Sequence, residues 1–157
     1  MNLLAIDPGI NRVGVAVASL ETGELIFSGC IYGPENTERI EERIAGCTGQ
    51  LSELCAQFTI SKVLIEPPQP FGSYKSLASQ QSTSLIKLYF STGALFWCCR
   101  QQYPATYLIP VSEYKGQLPK EVTRKRVENY YCKTFGPHDE ADAVYLAYWG
   151  TVLRKRS

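Results

Sequence analysis

A chain of 157 residues, 45% hydrophobic and 20% charged, has the composition of one folded domain and not of a disordered or fibrous protein. Sixteen Lys and Arg against fifteen Asp and Glu leave a net charge of +1, which excludes a polycation that holds nucleic acid by bulk charge. The charge is unevenly placed: residues 1–99 carry six basic and nine acidic groups (−3), and residues 100–157 carry ten and six (+4), so a local basic patch has room in the second half.

The chain opens with a short apolar run, residues 2–6 (NLLAI), that reads as a buried strand. Asp7-Pro8-Gly9 interrupts it with turn chemistry. Residues 14–19 (GVAVAS) resume as a strand of alternating small residues, Glu21-Thr22-Gly23 signals a turn, and residues 25–30 form a third strand. Three strands with short connections predict an antiparallel meander. Over residues 38–58 the period changes. Ile40, Ile44, Cys47, Leu51, Leu54, Cys55 and Phe58 recur every three or four positions, the stripe of an amphipathic helix.

Residues 62–65 form a short strand ending at Glu66, and Pro67-Pro68-Gln69-Pro70 stops it. A second helix is predicted from residue 76 to about 102, with a break near Gly93, and residues 106–109 form another strand. Residues 110–119 read as a polar loop. Residues 120–131 read as a helix, and Pro137 precedes a last helix over about 139–153. The order β-β-β-α-β-α-β-loop-α-α predicts one α/β domain spanning residues 1–157. Its five-stranded sheet is mixed, an antiparallel meander then parallel strands, with helices on both faces.

No apolar run approaches the roughly 20 residues of a membrane span. The start also lacks the basic segment of a signal peptide, so the expected location is cytoplasmic. Six cysteines are then expected as reduced thiols, mostly small core residues. With no CxxC motif and His138 as the single histidine, a structural zinc site is not expected.

Four carboxylates stand where chemistry gathers. Asp7 follows the first strand, Glu66 follows the fourth, and Asp139 and Asp142 open the last helix three residues apart, on one face. Adjacent strands are about 4.8 Å apart. Acids on two of them can therefore reach a pair of divalent ions spaced about 3.5–4 Å. An all-oxygen set suits Mg²⁺ or Mn²⁺ rather than zinc. Each acid also has a purely structural role open to it. Asp7-Pro8-Gly9 makes an ordinary turn, Glu66 a solvated strand end, Asp139 an N-cap, and Asp142 an acid favoured by the helix dipole. What those separate roles do not account for is all four in this order on this topology.

Three motifs, Ala5-Ile6-Asp7-Pro8-Gly9, Leu64-Ile65-Glu66 and Asp139-Glu140-Ala141-Asp142-Ala143, resemble those of the RuvC-type Holliday junction resolvases. Ser28-Gly29-Cys30-Ile31 and Gln57-Phe58 add to the likeness, which extends over nearly the whole chain. The resemblance implies an RNase H-like fold and a homodimer that cuts two opposed strands of a four-way DNA junction. It implies Asp7, Glu66, Asp139 and Asp142 as catalytic residues holding two Mg²⁺ ions, with Mn²⁺ as a substitute. One ion would activate water and the other stabilise the leaving 3′ oxygen, giving a nick with a 5′ phosphate. Acids so close repel, so cutting should rise from mildly acid to alkaline pH.

Lys115, Lys120, Arg124, Lys125, Arg126 and Lys133 cluster between Pro110 and Lys133. The family carries DNA-contacting lysines in this segment. Lys115 matches the first, and Lys120, Arg124 and Lys125 compete for the second. Arg124 to Arg126 also fit a solvated helix face. The family's apolar wedge at the junction centre falls near Phe71, here behind an unusual run of prolines. That departure fits a phage-encoded relative with relaxed preference for branched DNA. The apolar content of the second helix (Leu77, Leu85, Ile86, Leu88, Tyr89, Leu95, Phe96, Trp97) exceeds what one core face requires and fits the long helix of a dimer, with Tyr89 and Phe90 toward the partner. His138 is expected to point away from the metals. Two alternatives stay open: another RNase H-like nuclease acting on flaps, branched DNA or RNA–DNA hybrids, and a catalytically silent nucleic-acid-binding domain.

Overall fold

The computed structural model describes residues 1–69 and 83–154. Strands β1 (Asn2–Asp7), β2 (Arg12–Ser19) and β3 (Leu25–Tyr32) form the antiparallel meander. Helix α1 (Ile40–Cys55) leads to β4 (Ile60–Ile65), which pairs parallel with β1. Helix α2 (Thr83–Gln102) leads to β5 (Thr106–Leu108), parallel to β4. The short α3 (Val111–Tyr114), then α4 (Lys120–Tyr131) and α5 (His138–Tyr148), complete the order, and a π-helical turn (Trp149–Leu153) extends α5. The sheet order is β3-β2-β1-β4-β5.

Alternation along the strands sorts the core onto two faces. Leu4, Ile6, Val13, Val15, Val17, Val63 and Ile65 bury against α1 and α2 through Cys47, Leu51, Cys55, Leu95 and Cys99. Leu3, Ala5, Ala16, Ala18 and Leu64 bury against α5. That second face is built from small residues, and it lets the helix come close. A β-carbon on Gly14 would overlap the backbone carbonyl of Asp139, and one on Gly150 would fall 2.7 Å from Leu64 Cδ1. Residues 141–148 of α5 are buried all round, which explains why their hydrophobicity shows little facing. Each large aliphatic side chain in these layers contributes roughly 1.5–3 kcal/mol by leaving water.

Several boundaries differ from expectation. Asp7 belongs to β1 because it pairs across with Gly14, and β2 and β3 lengthen because Arg12 pairs with Tyr32. Helix α1 is shorter at both ends than residues 38–58. Helix α2 runs unbroken through Gly93, since one exposed helical glycine costs only about 1 kcal/mol. The expected start of that helix, residues 76–82, lies outside the described residues. The polar loop contains α3, an unforeseen turn of helix, and the final helix begins one residue early, at His138. Cys47, Cys55 and Cys99 are core residues as expected, whereas Cys30 and Cys98 are half-buried and Cys132 is exposed. Among the described residues no helix is long and apolar enough to cross a membrane.

Candidate active site

Asp7 and Glu66 end up side by side because β1 and β4 are parallel and in register. Ile6 pairs with Ile65, and the Glu66 amide donates to the Ile6 carbonyl at 3.0 Å. The turn after Asp7 is fixed by contact. Gly9 admits no β-carbon against the Arg12 carbonyl, and Ser91 of α2 donates to the Gly9 carbonyl at 3.3 Å. From the other side, α5 brings in the acids at its start. Its first turn is braced by Glu140, which accepts from Ser28 Oγ at 2.7 Å and from the Gly136 amide at 2.9 Å. Pro137 occupies the N-cap, so Asp139 does not cap the helix.

The acids meet around a buried ammonium. Lys115 Nζ lies 2.6 Å from Asp142 Oδ1 and 3.5 Å from Glu66 Oε2, with only 5% of its side chain exposed. The Tyr114 hydroxyl donates to the same Glu66 carboxylate. Lys120 Nζ reaches Asp142 Oδ2 at 3.0 Å from a side chain 63% exposed. Asp139 is held apart, accepting from Arg12 Nε.

The field at the site follows from this crowding. Burial, then the charges of Glu66 and Asp142, push the Asp7 carboxyl well above its ordinary range; Lys115 opposes them, and Asp139 adds least. Desolvation lowers the Lys120 ammonium, but its hydrogen bond to Asp142 and the charges of Asp142, Asp7 and Glu66 outweigh that and leave it raised. Burial, with Glu66 beside it, keeps Tyr114 a neutral donor. The cleft beside these groups has a volume of about 570 Å³, with Asp7, Glu66, Lys115 and Lys120 on its polar side and Leu85 and Leu88 on its apolar wall.

The structure therefore brings together Asp7, Glu66, Asp142, Lys115 and Lys120, and sets Asp139 at their edge. Of the three candidates for a second DNA-contacting cation, Lys120 alone is seen on a site carboxylate among the described residues. Arg124 is committed to Glu128 at 3.0 Å and to the Phe135 carbonyl, and Lys125 is exposed on α4. Phe71 lies outside the described residues. His138 is exposed at the first turn of α5. Sequence reading missed Arg12, Gly14 and Tyr114. The adjacency of Tyr114 to Lys115 was the one available cue, since both reach the Glu66 carboxylate.

The donor set can be tested for a divalent cation. Among the described residues no three His, Cys, Asp or Glu side chains converge closely enough to hold an ion. The reason is visible: Lys115 separates Glu66 from Asp142, and Arg12 draws Asp139 aside. An ammonium shared by two carboxylates marks a place that demands positive charge, and hard oxygen donors suit a divalent cation. In donor chemistry the residues fit such an ion.

Carboxylates at the carboxyl ends of β1 and β4, faced by a helix that packs on the sheet, define an α/β domain of the RNase H-like class. Within that class the chain is similar to RuvC. It is 25% identical over 158 residues to the crossover junction endodeoxyribonuclease RuvC of Prochlorococcus marinus strain NATL2A, covering 98% of this chain and all of that one. RuvC of Rhodopseudomonas palustris strain BisA53 is 25% identical over 122 residues, 77% of this chain and 63% of the relative. Among solved structures, Thermus thermophilus RuvC in complex with Holliday junction substrate superposes with a TM-score of 0.77 at 19% identity, over 99% of this chain and 95% of that one. The yeast mitochondrial Holliday junction resolvase Ydc2 gives a TM-score of 0.57 at 15% identity, over 98% and 82%. No family model matches the chain.

Proposed function

We propose that this protein is a metal-dependent DNA endonuclease that resolves four-way junctions by paired, symmetric nicks. The observation that carries the reading is Lys115 bridging Glu66 and Asp142 beside a destabilised Asp7, in a chain similar along its length to crossover junction endodeoxyribonucleases.

Asp7, Glu66, Asp139 and Asp142 would hold Mg²⁺, two ions per site, with Mn²⁺ as a substitute. When bound, the metal supplies a water acidic enough to attack and charge to offset the leaving oxygen. The chain's own groups do the rest. Tyr114 fixes the rotamer of Glu66 by donating to it. Lys115 and Lys120 lie on the cleft wall and balance a phosphodiester once it replaces their carboxylate partners. Leu85 and Leu88 exclude water on one side.

Paired nicks need two sites, and α2 offers the dimer face. Ile86, Phe90, Gly93 and Trp97 share one stripe; Phe90 is 67% and Trp97 65% exposed, and nothing lies within 4 Å of the place a Gly93 β-carbon would take. Apolar side chains flanking an open glycine fit a second copy of the same helix. A protein acting on DNA junctions would work in the cytoplasm of a bacterium or a phage-infected cell.

The experiment is cleavage of a mobile four-way junction with Mg²⁺, beside linear duplex, flap, splayed-arm and RNA–DNA hybrid substrates, with Asp7→Asn and Asp142→Asn as controls. Paired nicks on the junction, lost in both variants while junction binding persists, support the reading. Cutting of flaps or hybrids in preference moves the substrate within the same chemistry. No metal-dependent cutting, or full activity in Asp142→Asn, overturns it.

A further inference from the structure

We propose that Arg12 is a positioning residue that couples DNA docking to completion of the metal site: its guanidinium holds Asp139 in the free protein and surrenders it when a backbone phosphate takes its place. The inference rests on the endonuclease reading and adds an order of events to it.

Lys115 bridges Glu66 and Asp142, and Asp7 lies within range of all three charges. Asp139 is paired elsewhere. Asp139 accepts from Arg12 Nε at the start of β2. Its backbone cannot drift, because Gly14 and the Glu140 brace hold the first turn of α5. What separates Asp139 from the other acids is therefore a side-chain ion pair and not a misplaced helix.

That ion pair is suited to exchange. Arg12 is 40% exposed and Asp139 26%, and a solvent-accessible pair of this kind is held weakly. A guanidinium accepts a phosphate through two parallel N–H bonds, a better match than its single bond to Asp139. Among the described residues the remaining Arg12 nitrogens are not seen to hydrogen-bond, so these donors can approach a strand before Nε lets go. Lys120 makes the same kind of exposed contact with Asp142. The two acids of α5 are thus each paired with an exposed cation. A strand entering the cleft would draw both cations outward, releasing Asp139 and leaving Asp142 with Lys115 alone. Without DNA, the pairs compete with metal and limit idle loading of the site.

The test is Mn²⁺ binding, followed by electron paramagnetic resonance, for the full chain alone and on a four-way junction with non-hydrolysable central linkages. In the wild type the junction should tighten Mn²⁺ binding. Arg12→Gln should tighten binding in the DNA-free protein by about three- to tenfold and shrink the effect of the junction by the same factor, as linkage requires. Arg12→Lys, which can still pair with Asp139, should restore most of the coupling. Equal Mn²⁺ affinity in wild type and Arg12→Gln, with an equal effect of the junction, would overturn the role of Arg12 while leaving the metal site standing. No Mn²⁺ binding by either protein, with or without junction, would overturn the endonuclease reading and this inference with it.

Discussion

Gly14 on β2 packs directly against the backbone carbonyl of Asp139 on α5, with no room for a β-carbon between them. The strand thereby sets the height of the helix that carries two of the four acids. Gly14→Ala should force β2 and α5 apart. Overpacking costs about 1–3 kcal/mol when side chains can yield, and backbone yields less readily. We expect a lower urea midpoint by at least that equivalent and a loss of cutting out of proportion to the loss of fold. Normal cleavage with a lowered midpoint would show that the helix can move without disturbing the site.

Lys115 is the internal counterion of Glu66 and Asp142. Lys115→Met removes the buried partner of Asp142 and Glu66, and stripping one side of a buried ion pair costs about 3–5 kcal/mol. Thermal melting in EDTA should show that loss. Added Mg²⁺ should recover more stability in Lys115→Met than in the wild type, because the ion then relieves charge that only the exposed Lys120 offsets. Equal stabilisation by Mg²⁺ in both proteins would detach Lys115 from the cation's place.

The raised carboxyl of Asp7 predicts an unusual pH response. The unfolded chain releases this proton near 3.8, whereas the folded protein keeps it to a higher pH. Between those two points the native state binds the extra proton, so this carboxyl's contribution to stability falls as pH rises through that window and levels off above it. Asp7→Asn should remove that contribution and make the slope of stability against pH more positive. Mg²⁺ should act in the same sense, by expelling the proton, and calorimetry in buffers of different ionisation heat should detect proton release on binding. Equal slopes in EDTA for wild type and Asp7→Asn would contradict the burial of this charge.

The exposed stripe on α2 predicts assembly. Phe90→Asp and Trp97→Asp should convert a dimer to a monomer in sedimentation and should replace paired nicks with single, uncoupled ones. An unchanged sedimentation coefficient would remove α2 as the interface.

The topology was legible because its signals are local. Period-two strands, a period-three-and-a-half helix and turn residues identify the elements, and strand-terminal acids mark the cleft of the candidate site. Asp7, Glu66 and Asp142 could be read as neighbours because parallel β1 and β4 leave few other arrangements. The partners of those acids could not be read. Arg12 and Tyr114 are ordinary residues in ordinary places, and only the approach of α5 to β2 and the single turn of α3 bring them to carboxylates. The same limit applied to the second lysine. Lys120, Arg124 and Lys125 lie on one helix, and which of them faces the cleft is decided by the tilt of α4, a tertiary quantity.

Ile6 and Ile65 sit opposite one another on parallel strands, and everything between the two acids they precede is tied down by that rung of hydrogen bonds. The chain after Glu66 begins beyond that rung: Pro67 and Pro68 line the cleft but do not pair with β1, so their identity can change without moving Asp7 relative to Glu66. In such an architecture the choice of nucleic-acid shape and the cutting of a phosphodiester can diverge on separate schedules, and a lineage can acquire a new target by rewriting one connection while its reactive centre stays fixed.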